Sequence, residues 1–218
     1  MNEQTRRTLL LPALALVWNQ LVYYTGSFLG KDGPFLRMGI PLDRLVPFLP
    51  WTVSIYFGCF LFWAALYLLM ARQDREAAYR FFCADFLSKA VCLLFFIFLP
   101  TTLTRPDVAG TSLWAELTRL LYRVDAPRNL FPSIHCLVSW LCFVGARNCR
   151  GLPRWGVWVT AALAALVCLS TLTTRQHVAA DVAGGVLLAE LSYWIAGRSR
   201  LLRPFAQAMN RLCLPHPA

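Results

Sequence analysis

His177 and Asp181 stand four residues apart in the string Thr173-Thr174-Arg175-Gln176-His177-Val178-Ala179-Ala180-Asp181. Positions i and i+4 are neighbours on one helix face, so the carboxylate can accept a hydrogen bond from one ring nitrogen of the imidazole. The other nitrogen then carries a lone pair facing away, the form in which a histidine serves as nucleophile or base. A second histidine, His135, lies in Phe131-Pro132-Ser133-Ile134-His135-Cys136. The third, His216, sits in a proline-rich tail and is expected to take no part. Asp181 is the only carboxylate that the sequence sets close to either histidine, so no metal-ligand set accompanies them and no cofactor is expected.

These residues need elements to hold them, and composition says what kind. Of 218 residues 58% are hydrophobic and only 15% charged, against about a quarter charged in a soluble domain, and the mean hydropathy is +0.52. This is the balance of an integral membrane protein, with room for one membrane domain over 1–218 and no second large one. The net charge of +10 comes from short arginine clusters between apolar runs. No basic stripe is interleaved with aromatics, so the charge fits membrane topology and anionic head groups, not nucleic acid. Eight cysteines are scattered singly without a Cys-x-x-Cys pair, which argues against a disulfide framework or zinc site.

A helix needs about 20 apolar residues to cross a bilayer. Runs of that kind predict an all-α protein with six transmembrane helices, at about Thr8–Leu29, Pro47–Met70, Phe81–Pro100, Phe131–Arg147, Trp155–Leu172 and His177–Ala196. The first run is too long for a signal h-region and lacks an Ala-x-Ala exit, so it reads as a retained span. Between spans three and four, Leu113, Trp114, Leu117, Leu120, Leu121 and Val124 recur at helical spacing, with Glu116, Arg119 and Arg123 opposite them. That predicts a short amphipathic helix, lying on the outer membrane surface or packed on the protein as a lid. One set of connections carries Arg6, Arg7, Arg72, Arg75, Arg80, Arg147, Arg150, Arg154, Arg198, Arg200, Arg203 and Arg211. The other carries Lys31, Arg37, Arg44, Arg105, Arg119, Arg123, Arg128 and Arg175. The excess on the first set predicts cytoplasmic termini in a multi-pass protein of the cell membrane.

Topology then gathers the chemistry. Spans four and five form a hairpin, so His135 and His177 reach the same membrane face, here the extracytoplasmic one, and Arg105 arrives there at the end of span three. Arg105, Arg128 and Arg175 around two histidines suit a tetrahedral, multiply charged anion, for which phosphate is the obvious candidate. The N-termini of spans four and six offer unpaired N–H groups and positive dipole ends, and Ser133 can donate a further hydrogen bond.

Arg105-Pro106, Pro132-Ser133-Ile134-His135 and Ser170-Thr171…His177-x-x-x-Asp181 resemble the three motifs of the type 2 phosphatidic acid phosphatase superfamily. The longer strings Asn129-Leu130-Phe131-Pro132-Ser133-Ile134-His135 and Arg175-Gln176-His177…Asp181-Val182-Ala183-Gly184 are similar to its inositol phosphorylceramide synthase-like branch. The resemblance implies that His177 attacks phosphorus while Asp181 orients it. It makes His135 the acid for the leaving alkoxide and then the base for the acceptor, and lets Arg105 and Ser133 cradle the phosphoryl oxygens. The chain departs from the pattern at Phe98, where the first motif has lysine, at Ile134, where glycine is common, and at Thr171, where the third motif has arginine. Arg175 is expected to take over the missing cation's role, with Arg128 a weaker candidate.

The function expected is a metal-independent lipid phosphatase or phosphotransferase that works through a phosphohistidine on a phospholipid or prenyl phosphate. Inositol-phospholipid or sphingolipid head-group transfer is the closest alternative. A non-enzymatic transporter or assembly partner is the other class, although a transporter would hold its polar groups near the bilayer midplane. Asp85 and Lys89 form an i,i+4 pair in span three. The similar depth of Lys89 and Glu190 suggests a buried ion pair between spans three and six. Small residues at Ala180 and Gly184, and Gly185 four after Asp181, suggest that span six packs closely on its neighbours.

Overall fold

The structure is a computed structural model that describes residues 2–31, 34–198 and 200–213; His216 lies outside the described residues. The fold is all-α. Helices α1 (Glu3–Leu29), α2 (Val53–Ala71), α3 (Arg75–Phe98), α4 (Leu113–Val124), α5 (Ile134–Arg147), α6 (Arg154–Thr173), α7 (Ala179–Arg198) and α8 (Leu202–Cys213) follow in chain order. Pro41–Leu45 and Pro50–Thr52 form short 3-10 turns before α2. Among the described residues β-pairing is limited to two isolated bridges, Leu36–Thr101 and Thr102–Arg128.

Helices α1, α3, α4 and α5 begin where a side chain satisfies one of the first free amides, which matters most where water is scarce. Asn2 accepts from the Thr5 amide at 2.8 Å and Asp74 from that of Ala77 at 2.9 Å. Ser112 accepts from the Ala115 amide at 3.2 Å and Ser133 from that of Cys136 at 3.3 Å.

Five helices are long and apolar enough to cross a membrane: α1, α2 with the turn before it, α3, α6 and α7. Their outward faces carry exposed residues such as Leu16, Leu61, Leu94, Trp158, Leu169 and Leu187, as a multi-pass membrane protein requires. The fourth expected span differs. Its helix, α5, has 14 residues, about 21 Å at 1.5 Å per residue, against the roughly 30 Å of a hydrocarbon core. The residues before it, from Asn129 to Ser133, are not helical. The helix is the centre of the bundle, packed against α6, α7, α2 and α3, with Leu137, Leu141 and Val144 fully buried.

Close approach of α7 to α5 depends on Gly185. A Cβ there would lie 2.6 Å from the Ser133 carbonyl oxygen and 3.0 Å from the Leu137 nitrogen. Helices that associate in lipid rely on such small residues to bring backbones together. The amphipathic segment forms α4 and packs on α2 and the Pro50–Thr52 turn. Ala115, Thr118 and Leu121 are buried, and Leu113, Leu120 and Val124 remain exposed.

The suggested Lys89–Glu190 pair does not form. Lys89 Nζ lies 2.8 Å from Asp85 Oδ1 and 2.9 Å from Oδ2, with both residues buried, and the Tyr67 hydroxyl also donates to Asp85. Glu190 accepts from Arg147 at 2.9 Å and from Trp140 Nε1 at 3.0 Å. Equal depth brought two residues to one level but not to one face; Lys89 already has a partner one turn away on its own helix.

Candidate active site

The turn from α6 to α7 sets the first histidine. Arg175 adopts the left-handed conformation, φ 56°, uncommon for a residue with a Cβ. The reversal sends the Gln176 and His177 amides back to the Thr171 carbonyl, at 2.9 and 3.1 Å. Asp181 Oδ2 then accepts from the Val178 amide at 3.0 Å and faces His177 Nδ1 at 3.3 Å. A carboxylate only accepts, so Nδ1 carries the proton and Nε2 the lone pair. Burial disfavours the charged ring, but the hydrogen bond and charge of Asp181 outweigh it and raise the His177 pKa.

The second histidine comes from the first turn of α5, and its ring centroid lies 6.2 Å from that of His177. The two segments are tied directly, because the Ser133 amide donates to the Asp181 carbonyl at 3.1 Å. Ser133 is fully buried, and its oxygen accepts from the Cys136 amide and so caps α5. Both histidines line a cavity of about 260 Å³ together with Tyr23, Tyr56, Asp125 and Arg128. A second, largely apolar cavity of about 440 Å³ between α1 and α2 shares Asn19, Gln20, Phe60 and Trp63 with it.

Arg105 reaches this region from the loop after α3. Its guanidinium donates to the Asp125 carbonyl at 2.7 Å and to Gln176 Oε1, and stacks 4.7 Å from the Tyr122 ring. Burial lowers its pKa, against the opposing pull of Asp125, and an arginine so placed still stays charged. Among the described residues, Arg105 Nε and Gln176 Nε2 are buried donors without a protein partner. Arg128 lines the cavity with its guanidinium 5.5 Å over the Phe35 ring.

Arg175, expected beside the phosphate, is not brought to the histidines. Its guanidinium donates to the Asp43 carbonyl at 2.7 Å and the Val46 carbonyl at 2.5 Å. Residue spacing could not show that the left-handed turn directs this side chain to the 41–46 segment. The dipole expectation for α7 also changes, because its first amides are already paired: Val178 with Asp181, and Ala179 with Asp43 Oδ1 at 2.7 Å.

The sequence reading missed three residues near the histidines. Asp125 is a second carboxylate there, correcting the expectation that Asp181 stood alone. Its oxygens accept from the Tyr23 and Tyr56 hydroxyls, both at 3.0 Å, and the Tyr56 oxygen lies 3.2 Å from His135 Nδ1. Helix α2 gives Tyr56 no polar neighbour that would have marked it. Gln176 lies within the His177 motif, but an uncharged amide beside Arg175 gives no sign in sequence that it will meet Arg105.

No curated protein and no solved structure matches the chain. A family model described as the PAP2 superfamily matches residues 44–195, from just before α2 almost to the end of α7, and so contains His135, His177, Asp181 and Arg105. Both histidines line one cavity, Asp181 orients His177 and Arg105 is held by Asp125 and Gln176; all four lie within a family match that covers most of the chain, and the protein belongs to the PAP2 superfamily.

Proposed function

We propose that the protein is a membrane lipid phosphatase or phosphotransferase acting on a lipid phosphate, diphosphate or phosphodiester through a phosphohistidine on His177. The observation that carries this reading is His177, fixed by Asp181 at 3.3 Å, sharing one cavity with His135. Membership of a phosphatase superfamily supports the same class.

In the first half-reaction the Nε2 lone pair of His177 forms an N–P bond while the P–O bond to the lipid breaks. The bonding electrons leave on the alkoxide oxygen, which takes a proton from His135 Nε2. In the second, His135 removes a proton from the acceptor, whose oxygen forms the new P–O bond as the N–P bond returns its pair to His177. Two easier steps replace one hard one. Arg105, Gln176 and Ser133 bind the equatorial oxygens, where charge stabilisation lowers the barrier most. Arg128 faces the charge of the incoming group, and Arg175 holds the turn that carries the nucleophile. The apolar cavity between α1 and α2 fits the hydrocarbon chain of the substrate.

With α5 as a short sixth membrane segment, α4 lies at the extracytoplasmic surface beside the site and both termini are cytoplasmic. Water as acceptor makes the enzyme a phosphatase. An alcohol makes it a head-group transferase, and Asn19 and Gln20 in the cavity wall favour that second reading by offering hydrogen bonds to hydroxyl groups. The chemistry uses no metal, because the carboxylates beside the histidines are engaged in orienting them.

The test is turnover of phosphatidic acid, a prenyl diphosphate and an inositol-containing phospholipid by purified protein in detergent, with and without EDTA. Turnover of at least one, unaffected by EDTA and abolished by His177→Ala, is expected. No turnover, or an active His177→Ala variant, overturns the enzymatic reading; loss in EDTA alone overturns its metal-free form.

A further inference from the structure

Asp181 explains one histidine of the pair, but His135 has no carboxylate in direct contact. Its Nδ1 instead lies 3.2 Å from the Tyr56 hydroxyl, with the two ring centroids 4.3 Å apart. That hydroxyl has one proton, and it donates it to Asp125 Oδ2 at 3.0 Å. A phenol whose proton is committed to a carboxylate can only accept from its other neighbour, so His135 Nδ1 must carry a hydrogen. The other carboxylate oxygen of Asp125 is held by Tyr23 at 3.0 Å, and its backbone carbonyl by Arg105 at 2.7 Å. The carboxylate is thereby pinned from α1 and α2, and the backbone that carries it from the loop after α3.

We infer that Asp125, acting through Tyr56, is the positioning group for His135: it fixes the Nδ1–H tautomer and stabilises the imidazolium that protonates the leaving alkoxide. The inference rests on the phosphoryl-transfer reading above. The two histidines then share one design, a carboxylate on Nδ1 and a reactive Nε2, direct for His177 and relayed through a phenol for His135. The relay suits the acid of the pair. Oriented partners of this kind hold a catalytic imidazole in the productive tautomer without reacting themselves. The groups facing His135 are Tyr56, Phe60 and Trp63 from α2, His177 from the turn before α7 and, through Tyr56, Asp125.

A general acid matters in proportion to the basicity of the leaving group, which separates this role from a structural one. Phosphatidic acid must expel a basic alkoxide, whereas p-nitrophenyl phosphate expels a weakly basic phenolate that departs without a proton. Tyr56→Phe keeps the ring that packs on His135 and deletes only the relay oxygen; Asp125→Asn removes the charge at its far end. The ratio of kcat for phosphatidic acid to kcat for p-nitrophenyl phosphate, measured on the same preparation, is independent of the folded fraction. It is expected to fall by about 10- to 100-fold in each variant, within the usual worth of general acid catalysis. The double variant should fall no further than either single one, because both act through one chain. A ratio that stays at the wild-type value in both variants, with the two activities falling together, overturns the relay and leaves the phosphoryl-transfer reading standing. Turnover by the unsubstituted protein of none of phosphatidic acid, p-nitrophenyl phosphate, the prenyl diphosphate and the inositol-containing phospholipid overturns that reading and the relay with it.

Discussion

A histidine beside a carboxylate attacks phosphorus only while its ring is neutral, so the partner that orients His177 also sets the pH at which it works. Asp181 favours the protonated ring more than burial disfavours it, and the His177 pKa is raised above the ordinary value of about 6.5. As pH falls, the nucleophile is therefore lost earlier than an unperturbed histidine would be. The acid limb of kcat/KM should have its midpoint above about 6.5. Asp181→Asn removes the raising charge and leaves burial, which acts in the opposite direction. The midpoint should move to lower pH while the plateau drops by about 100-fold through lost orientation. An acid limb that stays in place in Asp181→Asn would show that it belongs to another group. The His177–Asp181 pair was readable from sequence because both residues lie within one turn and need only helical periodicity to meet. Asp125 was not, since its link to His135 passes through a tyrosine on a different helix and no local spacing encodes that.

Elements position these residues through one close contact. Gly185 lets α7 approach the start of α5 so that the Ser133 amide reaches the Asp181 carbonyl at 3.1 Å, and a Cβ would meet the Ser133 oxygen at 2.6 Å. Backbone atoms on both sides leave no flexible side chain to yield, so Gly185→Ala must separate the helices. A displacement approaching 1 Å between nucleophile and acid costs on the order of 100-fold in rate. The loss should be of similar size for phosphatidic acid and p-nitrophenyl phosphate, because orientation of both histidines suffers. That equality distinguishes it from the Tyr56 and Asp125 variants. Full activity in Gly185→Ala would show that the helices tolerate the separation. Small-residue spacing after His177 pointed to close packing in this region. It did not reveal the fate of Arg175, whose side-chain direction depends on a left-handed residue that no hydropathy pattern marks. Nor did depth along a helix give rotation, and so Lys89 found Asp85 in place of Glu190.

At the scale of the molecule, hydropathy located α1, α2, α3, α5, α6 and α7, because lipid-facing leucines and tryptophans make long apolar runs whatever the tertiary details. It did not mark α8, whose arginine-rich sequence makes no such run although Met209 and Cys213 are buried, and it overestimated α5, since the largely apolar run from Phe131 to Arg147 is not helical before Ile134. The family match begins after α1, yet α1 contributes Tyr23 to Asp125 and Asn19 and Gln20 to both cavities, so part of the cavity walls lies outside the matched segment. Orientation in the membrane decides which side supplies that substrate. The proposed orientation, with the site outside, rests on the excess of basic residues at the end of the bundle opposite the histidines. Thr111, just before α4 at the site end, is exposed, and Cys149, just after α5 at the other end, is the one native cysteine that is not buried among the described residues. In intact cells an impermeant maleimide should therefore label Thr111→Cys at once and Cys149 only after permeabilisation. Labelling of Cys149 first, with Thr111→Cys protected, would invert the protein and turn its catalytic cavity to the cytoplasm.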